Sequence, residues 1–236
     1  MRSSQECTKP PSDSSCLDLD HRRWTSDDVE RHLHALLDAE LLAMVLAGGC
    51  VQEKSVCLAR ELLAEIGGLF GLPGASAAML RHGGLGDAQT SALLASREIA
   101  SRLALQSIPK RRPLDSPSNV ARYLLLRYQE RDQEVMGALF LNVRHRILGD
   151  TEIFRGTLHR ADVEPREILK ECLLRGAAGV VIFHTHPSGD PTPSDADMQF
   201  TRRMAAAAAL VGVDLVDHLV LGSIGCWVSL KAQGGW

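Results

Sequence analysis

The sequence predicts an α/β protein in two parts, in which a smaller all-helical domain precedes a larger α/β sandwich. Three observations predict this: helical periodicity with glycine breaks in the first half, a proline-rich stretch near the middle, and short apolar runs that alternate with helical patterns in the second half. A chain of 236 residues can form two domains that each bury a core. The expected parts are a disordered tail (1–22), a helical domain (23–106), a linker (107–117) and the sandwich domain (118–236).

Composition and charge exclude several classes of protein. With 45% hydrophobic and 23% charged residues, the chain has the composition of an ordinary globular protein. A net charge of -3 lacks the basic character that drives non-specific nucleic-acid binding. The apolar stretches fall short of the roughly 20 residues of a membrane span and no signal-peptide core is present, so we expect a cytoplasmic location and no membrane partner. The six cysteines show no CxxC pair, which predicts reduced thiols.

Helical patterns occupy the first half of the chain. Ser26 offers an N-cap and is followed by two aspartates, which favour the first turn of a helix. Further helical patterns, separated by paired glycines, lie at 39–46, 53–66 and 88–105. Three prolines and the basic triplet Lys110-Arg111-Arg112 then argue against regular structure and predict the linker over 107–117.

The second half alternates strands with helices, which predicts an α/β sandwich. The apolar run from Val135 to Val143 is rich enough in hydrophobic residues to be a strand that is covered on both faces. Further strands are predicted at 148–154, 178–183, 213–221 and 226–230, and helices at 118–127, 164–174 and 194–211.

Two histidines at alternate positions follow one of these buried strands. His184 and His186 come directly after the apolar run 178–183. In an extended backbone, residues two apart point to the same side, so both imidazoles are presented together while Thr185 faces away. The pair is therefore predicted to chelate a metal ion. Three prolines and a glycine in 187–193 then force a tight, non-helical loop that ends at Ser194.

A carboxylate follows at the start of the next helix. Ser194 and Asp197 are spaced as an N-cap and the third residue of a helix, so Asp197 can reach back towards the strand end. Two imidazole nitrogens and one carboxylate oxygen leave a fourth tetrahedral position open for water, which is the pattern of a catalytic zinc site. We predict one zinc ion per chain, bound by His184, His186 and Asp197. S-x-x-D is also a capping box that could serve the helix alone, and both roles can coexist.

Glu134 is the candidate general base. It stands at the mouth of the apolar run that begins at Val135, where a carboxylate is costly to bury without a partner. A base is needed to take a proton from a metal-bound water and deliver it to the leaving group. Glu130 and Asp132 lie nearby, so a solvated carboxylate at a strand edge is the alternative. Ser194 is a second catalytic candidate, whose hydroxyl could stabilise an oxyanion by about 3 kcal/mol.

Together these residues resemble a known signature. Glu134, His184-Thr185-His186, Ser194 after seven residues and Asp197 match the E…HxH(x7)SxxD pattern of the JAMM (MPN-type) metalloproteases. Over about residues 118–230 the chain looks like the RadC family, on the runs Arg155-Gly156-Thr157, Pro165-Arg166-Glu167, His184 to Pro191 and Asp217-His218. This resemblance implies an MPN/JAMM, cytidine-deaminase-like α/β sandwich, one zinc ion, and hydrolysis of a peptide or isopeptide substrate.

The helical half resembles the N-terminal region of RadC proteins. The run Asp38 to Ala43 is similar to its opening, and Gly84-Leu85-Gly86-Asp87-Ala88 to its helix-hairpin-helix turn. Hairpins of this type bind DNA phosphate through backbone amides at a Gly-x-Gly turn, helped by a basic residue just after it. Gln89 and Thr90 stand at that place instead. The resemblance thus implies DNA as a partner of this domain, although the basic residue is missing.

Three functions remain open at the level of sequence. The preferred one is a cytoplasmic zinc metallohydrolase that cleaves an amide or isopeptide bond. An alternative is a DNA-binding accessory protein in DNA repair or recombination, in which the MPN domain is a scaffold. A third is metal-assisted hydrolysis of nucleic acid, because the same site could attack phosphodiesters. Whether the chain forms a homodimer is also left open.

Overall fold

A computed structural model describes residues 26–49, 52–109, 117–128, 133–156, 163–223 and 225–234. The chain divides into two compact units, Met1–Ile99 and Ala100–Trp236. The predicted disordered tail lies outside the described residues, as does most of the predicted linker with its basic triplet. These parts of the domain division stay predictions.

The first unit is built from helices, as the sequence predicts. Its α-helices are α1 (Ser26–His32), α2 (Asp38–Leu46), α3 (Glu53–Ile66), α4 (Ala77–His82) and the start of α5 (Asp87–Ser107), and 3₁₀ helices lie at Leu33–Ala35 and Leu69–Gly74. Leu42 from α2 and Leu62 from α3 share one buried core. Gly67 caps the C-terminal end of helix α3 with a φ of 77°, a backbone conformation that favours glycine.

Helix α4 and the 3₁₀ helices were not predicted. Helix α4 has six residues, too few to show a helical period. Its start is marked by Ser76, whose hydroxyl accepts a hydrogen bond from Met79 N at 3.2 Å. The N-cap serine therefore indicates the start of this helix, which the pattern of apolar residues does not.

The second unit contains a five-stranded sheet in the order β2-β1-β3-β4-β5. The strands are β1 (Glu134–Leu141), β2 (Ile147–Gly156), β3 (Gly179–Thr185), β4 (Asp214–Leu221) and β5 (Trp227–Ser229), and the helices are α6 (Pro117–Tyr128), α7 (Pro165–Leu174) and α8 (Asp195–Leu210). Strands β3 and β4 are parallel, whereas the other neighbouring strands are antiparallel. Strand β3 is therefore central.

Two apolar cores cover the two faces of the sheet. On one face Leu139 and Val181 belong to a buried cluster with Leu124 of α6. On the other face Ile182 belongs to a cluster with Met204 of α8 and with residues of α7. The predicted α/β sandwich is confirmed, and strand β1 is covered on both faces as its apolar run indicates.

Several predicted boundaries shift. His184 and Thr185 belong to β3 instead of following it, and Glu134 is the first residue of β1. Helix α5 continues to Ser107, and α6 begins at Pro117, both of which the sequence analysis placed in the linker. A proline at the first position of a helix loses no hydrogen bond, so Pro117 starts a helix instead of preventing one.

The cysteines and the membrane-span prediction can also be compared with the structure. Cys57 and Cys172 are free, whereas Cys226 is disulfide-bonded, so the prediction of reduced thiols is wrong for Cys226. Within the part of the chain that the structure describes, no helix is both long enough and apolar enough to cross a membrane.

Candidate metal centre

The two predicted histidines converge at the end of the central strand. His184 is buried at the end of β3, where it pairs with Met136 of β1, and His186 follows in the loop. Their Nε2 atoms lie 3.0 Å apart. Thr185 points away from them, and its hydroxyl accepts a hydrogen bond from Val135 N at 3.0 Å. The alternation of the strand thus presents both imidazoles on one side, as predicted.

The loop after β3 packs on the turn between β4 and β5. His186 N donates to the Leu221 carbonyl at 2.8 Å, and Ser223 N donates to the Gly189 carbonyl at 3.0 Å. Gly189 has a φ of 83°, and a Cβ atom there would lie 2.5 Å from Ser223 Oγ, so this position requires glycine. The loop holds the Asp190 carbonyl oxygen 2.7 Å from His186 Nδ1, which fixes the ring.

Asp197 caps helix α8 and faces the histidines at the same time. Its Oδ2 accepts hydrogen bonds from Ser194 N at 2.7 Å and Ser194 Oγ at 2.6 Å. Asp197 N donates back to Ser194 Oγ at 3.2 Å, which completes a capping box. The other oxygen, Oδ1, lies 3.3 Å from His184 Nε2. The capping role and a ligand role therefore coexist in one carboxylate.

The electrostatics of Asp197 favour its charged form. Burial alone would raise its pKa, but the contact with the His184 ring and the hydrogen bonds from Ser194 hold the pKa of Asp197 well below its usual range. A metal ligand must be deprotonated, so this carboxylate is ready to bind a cation.

The spacing and chemistry of these three donors fit a zinc ion. Donor atoms of His184, His186 and Asp197 all lie within 4.8 Å of one another. Tetrahedral zinc with bonds of about 2.0–2.1 Å separates its ligand atoms by about 3.3 Å. The shortest distances here are 3.0 Å between the histidines, 3.3 Å from His184 to Asp197 and 4.0 Å from His186 to Asp197. Small side-chain movements would complete such a site.

The predicted catalytic residues line the same cavity as the three donors. This cavity has a volume of about 440 Å³. Its walls include Glu134 at the start of β1 and Ser194 at the start of α8, and apolar side chains from Met136, Val163 and Phe200. The structure thus brings together all five site residues that the sequence predicts.

His218 and Thr201 extend the site into the core. His218 is fully buried on β4, and its Nε2 lies 2.8 Å from His184 Nδ1. The sequence analysis names His218 only in the run that resembles the RadC family, and it misses the contact of His218 with the candidate ligand. Thr201, also missed, lies four residues after Asp197 on the same face of α8, which is the signal that could have found it. Burial holds the pKa of His218 well below its ordinary value.

The predicted helix-hairpin-helix turn lies between α4 and α5 in the first unit. Gly84 has a φ of 89°, and Gly86 N donates a hydrogen bond to Gln89 Oε1 at 3.1 Å. Gln89 Nε2 in turn donates to the Leu46 carbonyl at 3.3 Å. The Gly86 amide that would bind a phosphate is thus occupied by a side chain of the same unit, and the exposed Asp87 beside it forms an ion pair of 3.8 Å with Arg81.

The fold and the site define a class of protein, an α/β sandwich with a His-His-Asp cluster at the end of its central strand. Residues 114–236 match the family model described as a RadC-like JAB domain, and residues 29–91 match the one described as UPF0758 N-terminal. The chain therefore belongs to the RadC family, with a RadC-like JAB domain and a UPF0758 N-terminal region, as the resemblance predicts.

Relatives from several bacteria span nearly the whole chain. A UPF0758 protein of Xanthomonas campestris pv. campestris (strain 8004) is 41% identical over 220 residues, which are 90% of this chain and 97% of the relative. A UPF0758 protein of Halorhodospira halophila is 42% identical over 220 residues, 90% and 98% of the two chains. One from Chloroflexus aurantiacus (strain ATCC 29366) is 39% identical over 201 residues, 85% and 87% of the two.

Proposed function

We propose that this chain is a zinc-dependent metallohydrolase that cleaves a peptide or isopeptide bond. The observation that carries the proposal is the convergence of three donors, from His184, His186 and Asp197, in a cavity that Glu134 and Ser194 also line. Three protein ligands leave one position open, which is the arrangement of catalytic zinc sites. Membership of a family with a JAB domain supports the same reaction class.

Glu134 and Ser194 each have a task in this reaction. A bound zinc ion supplies Lewis acidity that polarises the substrate carbonyl and acidifies water. Glu134 accepts the proton of the attacking water on a carboxylate oxygen and delivers it to the departing amide nitrogen. Ser194 turns its hydroxyl from Asp197 Oδ2, where it now donates at 2.6 Å, towards the oxyanion of the tetrahedral intermediate.

The first test combines metal analysis with a cleavage assay on the full chain. The expected metal content is about one zinc ion per chain. The substrate probe is a library of internally quenched peptides in which the scissile bond is either an α-peptide bond or an isopeptide bond to a lysine side chain. Cleavage of either class above the blank supports the proposal, and the bond type identifies the substrate class.

Variants of two glutamates separate catalysis from metal binding. Glu134→Gln should keep the zinc content and lower cleavage by about 100-fold or more, the usual contribution of a general base. Glu152→Gln, on the neighbouring strand β2 and outside the cavity lining, is the matched control and should cleave normally. Zinc-loaded protein that cleaves neither bond type, or equal activity of the two variants, would overturn the proposal.

A further inference from the structure

The two candidate histidine ligands have different partners on their second ring nitrogen. His186 Nδ1 lies 2.7 Å from the Asp190 carbonyl oxygen, and a carbonyl only accepts. His186 therefore carries a proton on Nδ1 and leaves Nε2 free to bind a cation. His184 Nδ1 instead lies 2.8 Å from His218 Nε2, and an imidazole nitrogen can either donate or accept. The tautomer of His184 thus depends on that of His218.

Thr201 determines the tautomer of His218. Thr201 Oγ1 lies 2.6 Å from the Asp197 carbonyl oxygen and 2.6 Å from His218 Nδ1. The hydroxyl has one proton, and because the carbonyl only accepts, that proton goes to Asp197. The hydroxyl oxygen is then the acceptor for the Nδ1 proton of His218. A neutral His218 with its proton on Nδ1 has a bare Nε2, which can only accept.

We propose that His218 and Thr201 are positioning residues that fix His184 as an Nε2 ligand of the metal centre. His184 Nδ1 donates to the bare Nε2 of His218, so the lone pair of His184 Nε2 points towards His186 and Asp197. The inference rests on the metal centre of the proposed function. Metal-binding histidines commonly donate to a carboxylate or a backbone carbonyl; here a second imidazole takes that place.

This hydrogen-bond relay runs from the Asp197 carbonyl through Thr201 and His218 to His184, and burial protects it from competing water. Thr201 and His218 have no exposed surface, and His184 is 1% exposed. A buried donor or acceptor that loses its partner cannot be solvated, so each member holds its neighbour in one protonation pattern. The relay also begins at the backbone of Asp197 and ends at His184, so it links two ligands from different elements, α8 and β3.

The test changes Thr201 to the similarly shaped valine in the full chain. Thr201→Val removes the acceptor for His218 Nδ1, so the His218 proton moves to Nε2 and forces the proton of His184 onto Nε2, where it opposes metal binding. The zinc dissociation constant should rise about 10- to 100-fold, as for other residues behind a metal ligand. Thr201→Ser retains the hydroxyl and should restore the parent value.

Nitrogen-15 NMR of the histidine rings provides a readout besides metal affinity. The parent should show protons on Nδ1 of His184 and His218, and a scalar coupling between His184 Nδ1 and His218 Nε2 across their hydrogen bond. Thr201→Val should lose this pattern. Parent spectra with the proton of His184 on Nε2 would overturn the proposal whether or not the variant folds well.

A second buried threonine provides the control. Thr90 lies on α5, and among the described residues its buried hydroxyl has no hydrogen-bond partner. Thr90→Val should leave the zinc dissociation constant and the histidine spectra unchanged. A Thr201→Val protein that binds zinc within about twofold of the parent and keeps the parent spectra would contradict the relay. Zinc-loaded parent without hydrolase activity would instead contradict only the proposed reaction.

Discussion

Ser194 has two functions that a single substitution can separate. As the N-cap of α8, its side-chain oxygen accepts a hydrogen bond from Asp197 N. As the proposed oxyanion donor, the same hydroxyl must release Asp197 Oδ2 and turn into the cavity. Stability depends on the first function, and turnover depends on the second.

Comparison of glycine with alanine at this position tests both functions. An N-cap serine that is changed to alanine costs about 1 kcal/mol, whereas glycine at an N-cap costs only a few tenths. Ser194→Gly should therefore unfold at nearly the parent denaturant concentration, and Ser194→Ala at a lower one. Both should lose about 100-fold or more in turnover number, because both lack the hydroxyl. Turnover that is lost in Ser194→Ala but kept in Ser194→Gly would assign the serine to helix capping alone.

At the scale of elements, helix α6 is joined to strand β2 by one carboxylate. Asp150 on β2 accepts hydrogen bonds from Tyr123 OH at 2.6 Å, from Tyr128 OH and from Arg127 Nε at 2.8 Å. Asp150 and both tyrosines are largely buried. These are the only two tyrosines of the chain, so tyrosine absorbance reports on this cluster alone.

Alkaline pH should remove the stabilisation that this cluster provides, because the two tyrosines then ionise. Burial, and then the hydrogen bond to Asp150, raise the pKa of Tyr128 from 10.0 to about 12, and the pKa of Tyr123 rises for the same reasons. Because the folded pKa exceeds the unfolded one, the stabilisation is complete below pH 10.0 and is lost as the pH rises towards about 12. Ultraviolet absorbance of tyrosinate during a pH titration measures both groups.

The Tyr128→Phe variant separates the titration of Tyr128 from that of Tyr123. It leaves only Tyr123 to titrate and should cost about 2 kcal/mol of unfolding free energy, because a hydrogen bond to a charged group is lost. The parent should form almost no tyrosinate at pH 10.0 while it is folded. Two midpoints near the ordinary value of 10.0 in the folded chain would refute this electrostatic account.

The elements that the sequence predicts well are those with a local pattern. Glu53–Ile66 shows its helical period, and the glycines that follow end it. The alternation through His184 and His186 and the cap spacing from Ser194 to Asp197 are also local, so the three donors could be predicted before the fold was known.

The relay behind the metal centre could not be predicted in this way. Thr201 and His218 lie 17 residues apart, and His184 and His218 lie 34 apart, so their hydrogen bonds exist only because β3 and β4 are parallel neighbours with α8 packed on them. Pro117 shows a different limit. A local rule against proline in helices placed this residue in the linker, whereas it is the first residue of α6, a helical position where proline fits.

At the scale of the whole molecule, charge argues against the DNA-binding alternative. The net charge of the chain is -3, and affinity for DNA depends mainly on cations that neutralise phosphates. The hairpin turn does not compensate, since the amide of Gly86 is bonded to Gln89 and the nearby cation Arg81 is paired with Asp87. We therefore expect the full chain to show no saturable binding of duplex DNA in the micromolar range, even at about 50 mM salt.

Fluorescence anisotropy with labelled duplex DNA, repeated at several salt concentrations, measures the affinity of the chain for DNA. Gln89→Lys frees the Gly86 amide and adds a cation at the turn, so it should create or strengthen binding. Gln106→Lys adds the same charge at the other end of α5 and should have a smaller effect. Binding of DNA by the parent chain would support the accessory role if the logarithm of the binding constant falls linearly with the logarithm of the salt concentration. The slope of that line reports the number of counterions released from the DNA. Equal gains from the two lysines would show that net charge, and not the hairpin amide, limits binding.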